Sequence, residues 1–124
     1  MSKVFVLSDL RFKDVKVGWH DAEWLFSERV ERDDGQFLVI YFALKDDGAE
    51  NLVASAFVPY KPYVNSNSLL AKWLSSIYGF DSSGFLFDLE ELEGRDVRVY
   101  VEQRVVKGTT LLRVTNVDRA RSNS

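Results

Sequence analysis

The chain has no cysteine and a single histidine, His20, in 124 residues. These absences remove disulfides, thiol catalysis and thiolate metal ligands, and they leave no histidine cluster for a zinc site or a Ser-His-Asp relay. Proline occurs twice and glycine seven times, too few for a collagen-like repeat or a low-complexity linker. No apolar run approaches the roughly 18 residues of a membrane helix, and Asp9 interrupts the apolar start Val4-Phe-Val-Leu7 where a signal peptide would continue. The expectation is a cytoplasmic protein without a membrane partner. What is present is 46% hydrophobic and 28% charged residues, the balance of a folded chain long enough for one domain and one core.

Net charge is −3, but it is unevenly spread: residues 1–94 hold 9 Lys/Arg against 16 Asp/Glu, whereas residues 95–124 hold 7 against 3. Overall acidity does not forbid polyanion binding, because affinity follows the local field over the phosphates contacted.

The glycines divide the chain into segments. Residues 22–31 alternate like a first strand and meet the turn Asp33-Asp34-Gly35. In residues 36–45, Leu38, Ile40, Phe42 and Leu44 share one face and Phe37, Val39, Tyr41 and Ala43 the other. Both faces are apolar, as expected of a strand with a core face and a second, covered or ligand-binding face. A second acidic turn, Asp46-Asp47-Gly48, precedes a third strand over 51–58 that Pro59 ends. After Tyr60-Lys61-Pro62-Tyr63, the run Asn65-Ser-Asn-Ser68 offers helix caps, and Leu69, Leu70, Trp73, Leu74 and Ile77 repeat at helical spacing up to Gly79. Asp88 and Glu91 form a capping-box pattern that opens a short helical turn closed by Gly94. Val97, Val99 and Val101 then alternate with Arg98, Tyr100 and Glu102 in a fourth strand, and a fifth covers 109–117. The predicted domain is 18–118, preceded by an arm or extra edge strand over 1–17 and followed by a mobile tail over 119–124.

Five strands with one main helix between the third and fourth match the five-stranded OB-fold barrel, β1-β2-β3-α-β4-β5. An SH3-like barrel is the alternative, and it usually lacks a three-turn helix at this point. The segments Gly18-Trp-His-Asp-Ala22, Phe37-Leu-Val-Ile-Tyr-Phe42, Phe87-Asp-Leu-Glu-Glu-Leu-Glu-Gly-Arg-Asp-Val-Arg-Val-Tyr-Val-Glu102 and Leu112-Arg-Val-Thr-Asn-Val117 resemble small phage and prophage single-stranded DNA-binding proteins of the OB-fold kind. The resemblance implies single-stranded DNA, or RNA, as partner, a role in replication or recombination in a bacterial host cytoplasm, and a phage or host replication protein as a further partner; a homo-oligomer is expected separately, because one OB barrel covers few nucleotides and gains affinity by multivalency.

Single-strand binding needs aromatic platforms for bases beside cations for phosphates. OB-folds bind over strands two and three and between the loops joining strands one to two and four to five. Phe37 and Tyr41 lie on the second face of strand two, Arg32, Arg104 and Lys107 fall in or beside those loops, and Lys45 ends strand two. Arg98 and Tyr100 share the outward face of strand four, with Arg113 on strand five. Competing structural roles are packing of Phe37 and Tyr41 under the N-terminal arm or in a dimer, and pairing of the arginines with Glu102 or Glu28. Trp73, Trp24 and Phe26 are expected in the core, Trp19 is left open between core and surface, and Tyr60-Lys61-Pro62-Tyr63 either clamps a strand or, the preferred reading, packs over the helix. Catalysis is not expected: the Asp pairs precede glycines in turns, Glu90, Glu91 and Glu93 suit a helix start, and no phosphate-binding glycine motif or nucleophile elbow occurs. No cofactor is implied. The rival reading is a protein-interaction module on the same barrel, an adaptor or an inhibitor of a host protein, since exposed aromatics also serve protein contacts.

Overall fold

The computed structural model describes residues 14–46, 48–60, 69–79 and 89–121. The expectations for residues 1–13, Asp47, Lys61-Pro62-Tyr63, the caps at 65–68, Asp88 and residues 122–124 lie outside them.

Alternating apolar residues give β1 (Gly18–Arg32), β2 (Gly35–Leu44), β3 (Val53–Pro59), β4 (Asp96–Val106) and β5 (Thr109–Arg119). The helical repeat gives α1 (Leu69–Tyr78), and Leu89–Leu92 form a short 3-10 turn before β4. The strands close into a barrel in the order β1-β2-β3-β5-β4, with β4 returning to β1. This is the OB-fold arrangement expected from the sequence, an all-β barrel with one main helix between the third and fourth strands. All neighbours are antiparallel except β3 and β5, whose parallel register holds one pair, Ser55 with Arg113. Among the described residues no helix is long and apolar enough to cross a membrane.

One face of each strand fills the interior. Trp24 and Phe42 meet edge to face, with ring centroids 5.3 Å apart, in a geometry that favours the ring quadrupoles. Leu70, Trp73, Leu74 and Ile77 of α1 are buried in the same core, as is Leu92 of the 3-10 turn. Val15 is also buried there, and Gln103 Nε2 donates to its carbonyl at 2.7 Å, so the residues just before β1 are held against β4.

Three expectations need correction. β1 begins four residues earlier than its alternation suggests, because Gly18–Asp21 pair with Val101–Arg98 of β4 and serve closure of the barrel, while Ala22 and Glu23 pair with both β4 and β2. Phe26 is not core but 43% exposed. A register slip between Trp24 and Phe26 leaves Trp24 opposite Phe42 inside and Phe26 opposite Tyr41 outside. The bulge is fixed by the backbone of Trp24, whose N–H donates to the Arg95 carbonyl at 2.9 Å and whose carbonyl accepts from Gly94 N–H at 2.7 Å. Gly94 makes this approach at φ +85°, where a side chain would be strained. Arg119, assigned to the tail, ends β5 instead: it pairs with Val97, and its carbonyl accepts from Arg98 Nε.

Candidate nucleic-acid interface

The outer face of β1, β2 and β3 presents two aromatic pairs. Phe37 and Phe57 stack with centroids 4.7 Å apart and planes 18° from parallel, and the Arg32 guanidinium lies 4.6 Å over the Phe57 ring. Phe26 and Tyr41 lie 4.8 Å apart at a 32° tilt. The register sets these side by side, since Val39 faces Phe57 and Tyr41 faces Ser55 on β3. Ser55 in turn faces Arg113 of β5, and Arg113 faces Glu102 of β4. Tyr41, Ser55 and Arg113 therefore form one row across three strands.

The sequence reading missed Phe57, although its signal was present: with Ala54, Ala56 and Val58 inward, a period of two places Ser55 and Phe57 outward. Arg29 was also missed and carries no signal in the sequence, and its partner is Tyr60 of the loop after β3. Arg29 Nη2 donates to the Tyr60 hydroxyl at 3.1 Å and its guanidinium lies 4.6 Å over the same ring, beside β3's end. Tyr60 itself packs against the barrel core.

Of the nine residues singled out in the sequence, Arg32, Phe37, Tyr41 and Arg113 come together on this face. Arg104 and Lys107 sit beside it on the outer half of the β4–β5 hairpin, where residues 103–111 project past the buried Leu112. Lys107 forms the turn with Gly108, both at positive φ, +50° and +80°. Arg104 and Lys107 have no acidic partner within reach among the described residues, so their charge faces solvent.

The other three lie elsewhere. Lys45 Nζ binds Asp96 at 2.8 Å, and that hydrogen bond raises the pKa of its ammonium against a smaller opposing effect of desolvation. Arg98 binds Asp118 at 2.9 Å and lies 5.5 Å over the Trp19 ring, while Tyr100 meets Trp19 edge-on at 5.7 Å. These residues belong to the β1–β4 side of the barrel, where Trp19 pairs with Tyr100 and Asp21 with Arg98.

Electrostatics on the aromatic face are mixed. The Tyr41 hydroxyl donates to Glu28 Oε2 at 3.3 Å, and partial burial followed by the Glu28 charge raises the phenol's pKa. The phenol therefore stays neutral at physiological pH, and Glu28 is the one carboxylate hydrogen-bonded to a ring of this face among the described residues. A comparison with protein-family models finds no match for this chain, and a comparison with curated proteins finds none either.

Proposed function

We propose that this protein binds single-stranded DNA, as an accessory protein of the phage type that its 87–102 segment resembles, acting in replication or recombination by base stacking and phosphate neutralisation without chemistry. One observation supports this above the rest: two aromatic pairs share the outer face of β1, β2 and β3, with Tyr41 in register with Ser55 and Arg113, on the barrel whose β1–β2 and β4–β5 hairpins bear Arg32, Arg104 and Lys107. Rings of this kind offer bases a sequence-tolerant platform worth roughly 1–3 kcal/mol per base.

A titration with oligo(dT) of about 30 nucleotides at low and moderate salt, against a duplex of equal length, tests the reading. The expected result is salt-dependent binding confined to the single strand. Replacing Arg104 and Lys107 together by Ala lowers the magnitude of the log-log salt slope by roughly 1.4, two phosphates' worth for a single strand. Phe57→Ala weakens binding roughly tenfold by loss of one platform. Absence of single-strand binding at low salt sinks the proposal. It would favour the protein-interaction reading, for which Val105, Val106 and Leu111 at the exposed end of the β4–β5 hairpin provide an apolar contact.

A further inference from the structure

Trp19 is the one exposed tryptophan of the three: it is 42% exposed, whereas Trp24 and Trp73 are 0% and 2%. It forms one wall of a groove whose other side is α1, through Leu69, Lys72 and Ser76, and whose floor is β5 from Thr115 to Asp118. The ring is held in place before any ligand arrives. Tyr100 meets its edge, and the Arg98 guanidinium lies over it, itself fixed by Asp118 and by the Arg119 carbonyl. A preordered ring loses little freedom on binding.

Charge in the groove suits an anion. The Asp118 carboxylate is occupied by Ser76, Arg98 and the Arg119 N–H, and Lys72 is exposed at the rim. Thr115 and Asn116 are exposed polar groups on the floor.

The groove is also continuous with the aromatic face. Arg113, in line with Ser55 and Tyr41, is two residues from Thr115 on β5, a separation of about 7 Å along a strand. We infer that the Trp19–Lys72 groove is a second base-and-phosphate subsite, in which a single strand crossing β2 and β3 continues past Arg113 and stacks a base on Trp19 with a phosphate on Lys72. This rests on the single-strand reading above and extends it to the opposite side of β5.

The test uses the full chain with labelled oligo(dT) of about 6 and about 30 nucleotides, read by anisotropy and by tryptophan emission. The long oligonucleotide is expected to quench tryptophan emission and to lose about tenfold more affinity than the short one on Lys72→Glu. Lys72 points to solvent, so a thermal melt matching the parent's verifies that this variant is folded. Trp19→Phe, which keeps a ring against Tyr100, is expected to shorten the length of strand occluded per chain. Binding by anisotropy without quenching, or equal losses for both lengths on Lys72→Glu, overturns the subsite and leaves the primary face standing. No binding of either length overturns the function reading, and the subsite falls with it.

Discussion

Lys107 occupies a position that few residues other than glycine, asparagine or aspartate adopt without cost. Its φ of +50°, followed by Gly108 at +80°, belongs to a two-residue turn with both central residues left-handed, for which Asn-Gly is the favoured sequence. A lysine there costs about 1 kcal/mol of local strain, which a purely structural turn would have no reason to hold. Lys107→Asn is therefore expected to raise the melting temperature while it weakens oligo(dT) binding and reduces the salt slope by roughly 0.7. A variant that melts higher and binds as before would assign the lysine no part in the interface. Glu28 has the opposite sign. Because it accepts from Tyr41 on the aromatic face, Glu28→Gln preserves the shape, removes a charge that repels phosphate, and is expected to increase affinity several-fold at low salt, with the gain fading as salt screens it. At this scale the sequence was partly legible. Alternation identifies which residues of β2 point outward, so Phe37 and Tyr41 were readable, but it says nothing of long-range partners. That Lys45 is committed to Asp96, fifty-one residues away, emerges only on closure of the barrel, and that Arg98 faces Asp118, twenty residues away, emerges only with the register slip between Tyr100 and Val101 in the β4–β5 hairpin.

Among the elements, the bulge in β1 has the largest effect on what the face contains. Were Leu25 paired like its neighbours, the inward parity of Ala22 and Trp24 would continue to Phe26 and bury it; with Leu25 bulged out of the ladder, Phe26 joins Tyr41 outside. Deleting Leu25 takes out the one unpaired residue and leaves Trp24 opposite Phe42 and Phe26 opposite Tyr41, so every side chain of β1 keeps its side while the local bend is lost. The deletion is therefore expected to keep a cooperative thermal transition, checked by a thermal melt, and Phe26→Ser, at an exposed position, is expected to cost under about 1 kcal/mol. The order and type of the elements were legible because caps, turn glycines and periods of two or 3.6 residues are local properties. The bulge was not legible, because its cause is the pairing of Trp24 with Gly94 and Arg95, some seventy residues further on. The early start of β1 was hidden for the same reason: Gly18–Asp21 have no apolar alternation of their own and become strand through β4.

For the molecule as a whole, Asp118 is the point at which helix and barrel are joined. It accepts from Ser76 of α1 and from Arg98 of β4 while its own strand supplies the Arg119 N–H. The Ser76 hydrogen bond, outweighing desolvation and aided by Arg119 N–H and the nearby arginines, holds its carboxyl below the ordinary value of 3.8. A depressed carboxyl stabilises the fold fully above its unfolded pKa, and the contribution disappears as pH falls through the native value. Acid should therefore weaken the parent below about pH 4, and Asp118→Asn should melt lower than the parent at neutral pH, with the gap narrowing below about pH 4. A constant gap from pH 7 to pH 3 would show that the side chain acts by packing alone.

The single parallel pair between β3 and β5 has a further consequence. Every other neighbouring pair of strands is joined by at least six register pairs, and this one by Ser55 and Arg113 alone. The barrel is thus a ribbon of four antiparallel junctions closed by a clasp. Breathing motions should part it there first, so the β3 and β5 amides that face each other would exchange with deuterium through local opening, long before those of β1 and β2, whose release requires global unfolding. Since Arg113 is itself half of the clasp, any polyanion resting on that guanidinium also bridges the slit, and slower exchange along β3 and β5 would register its arrival.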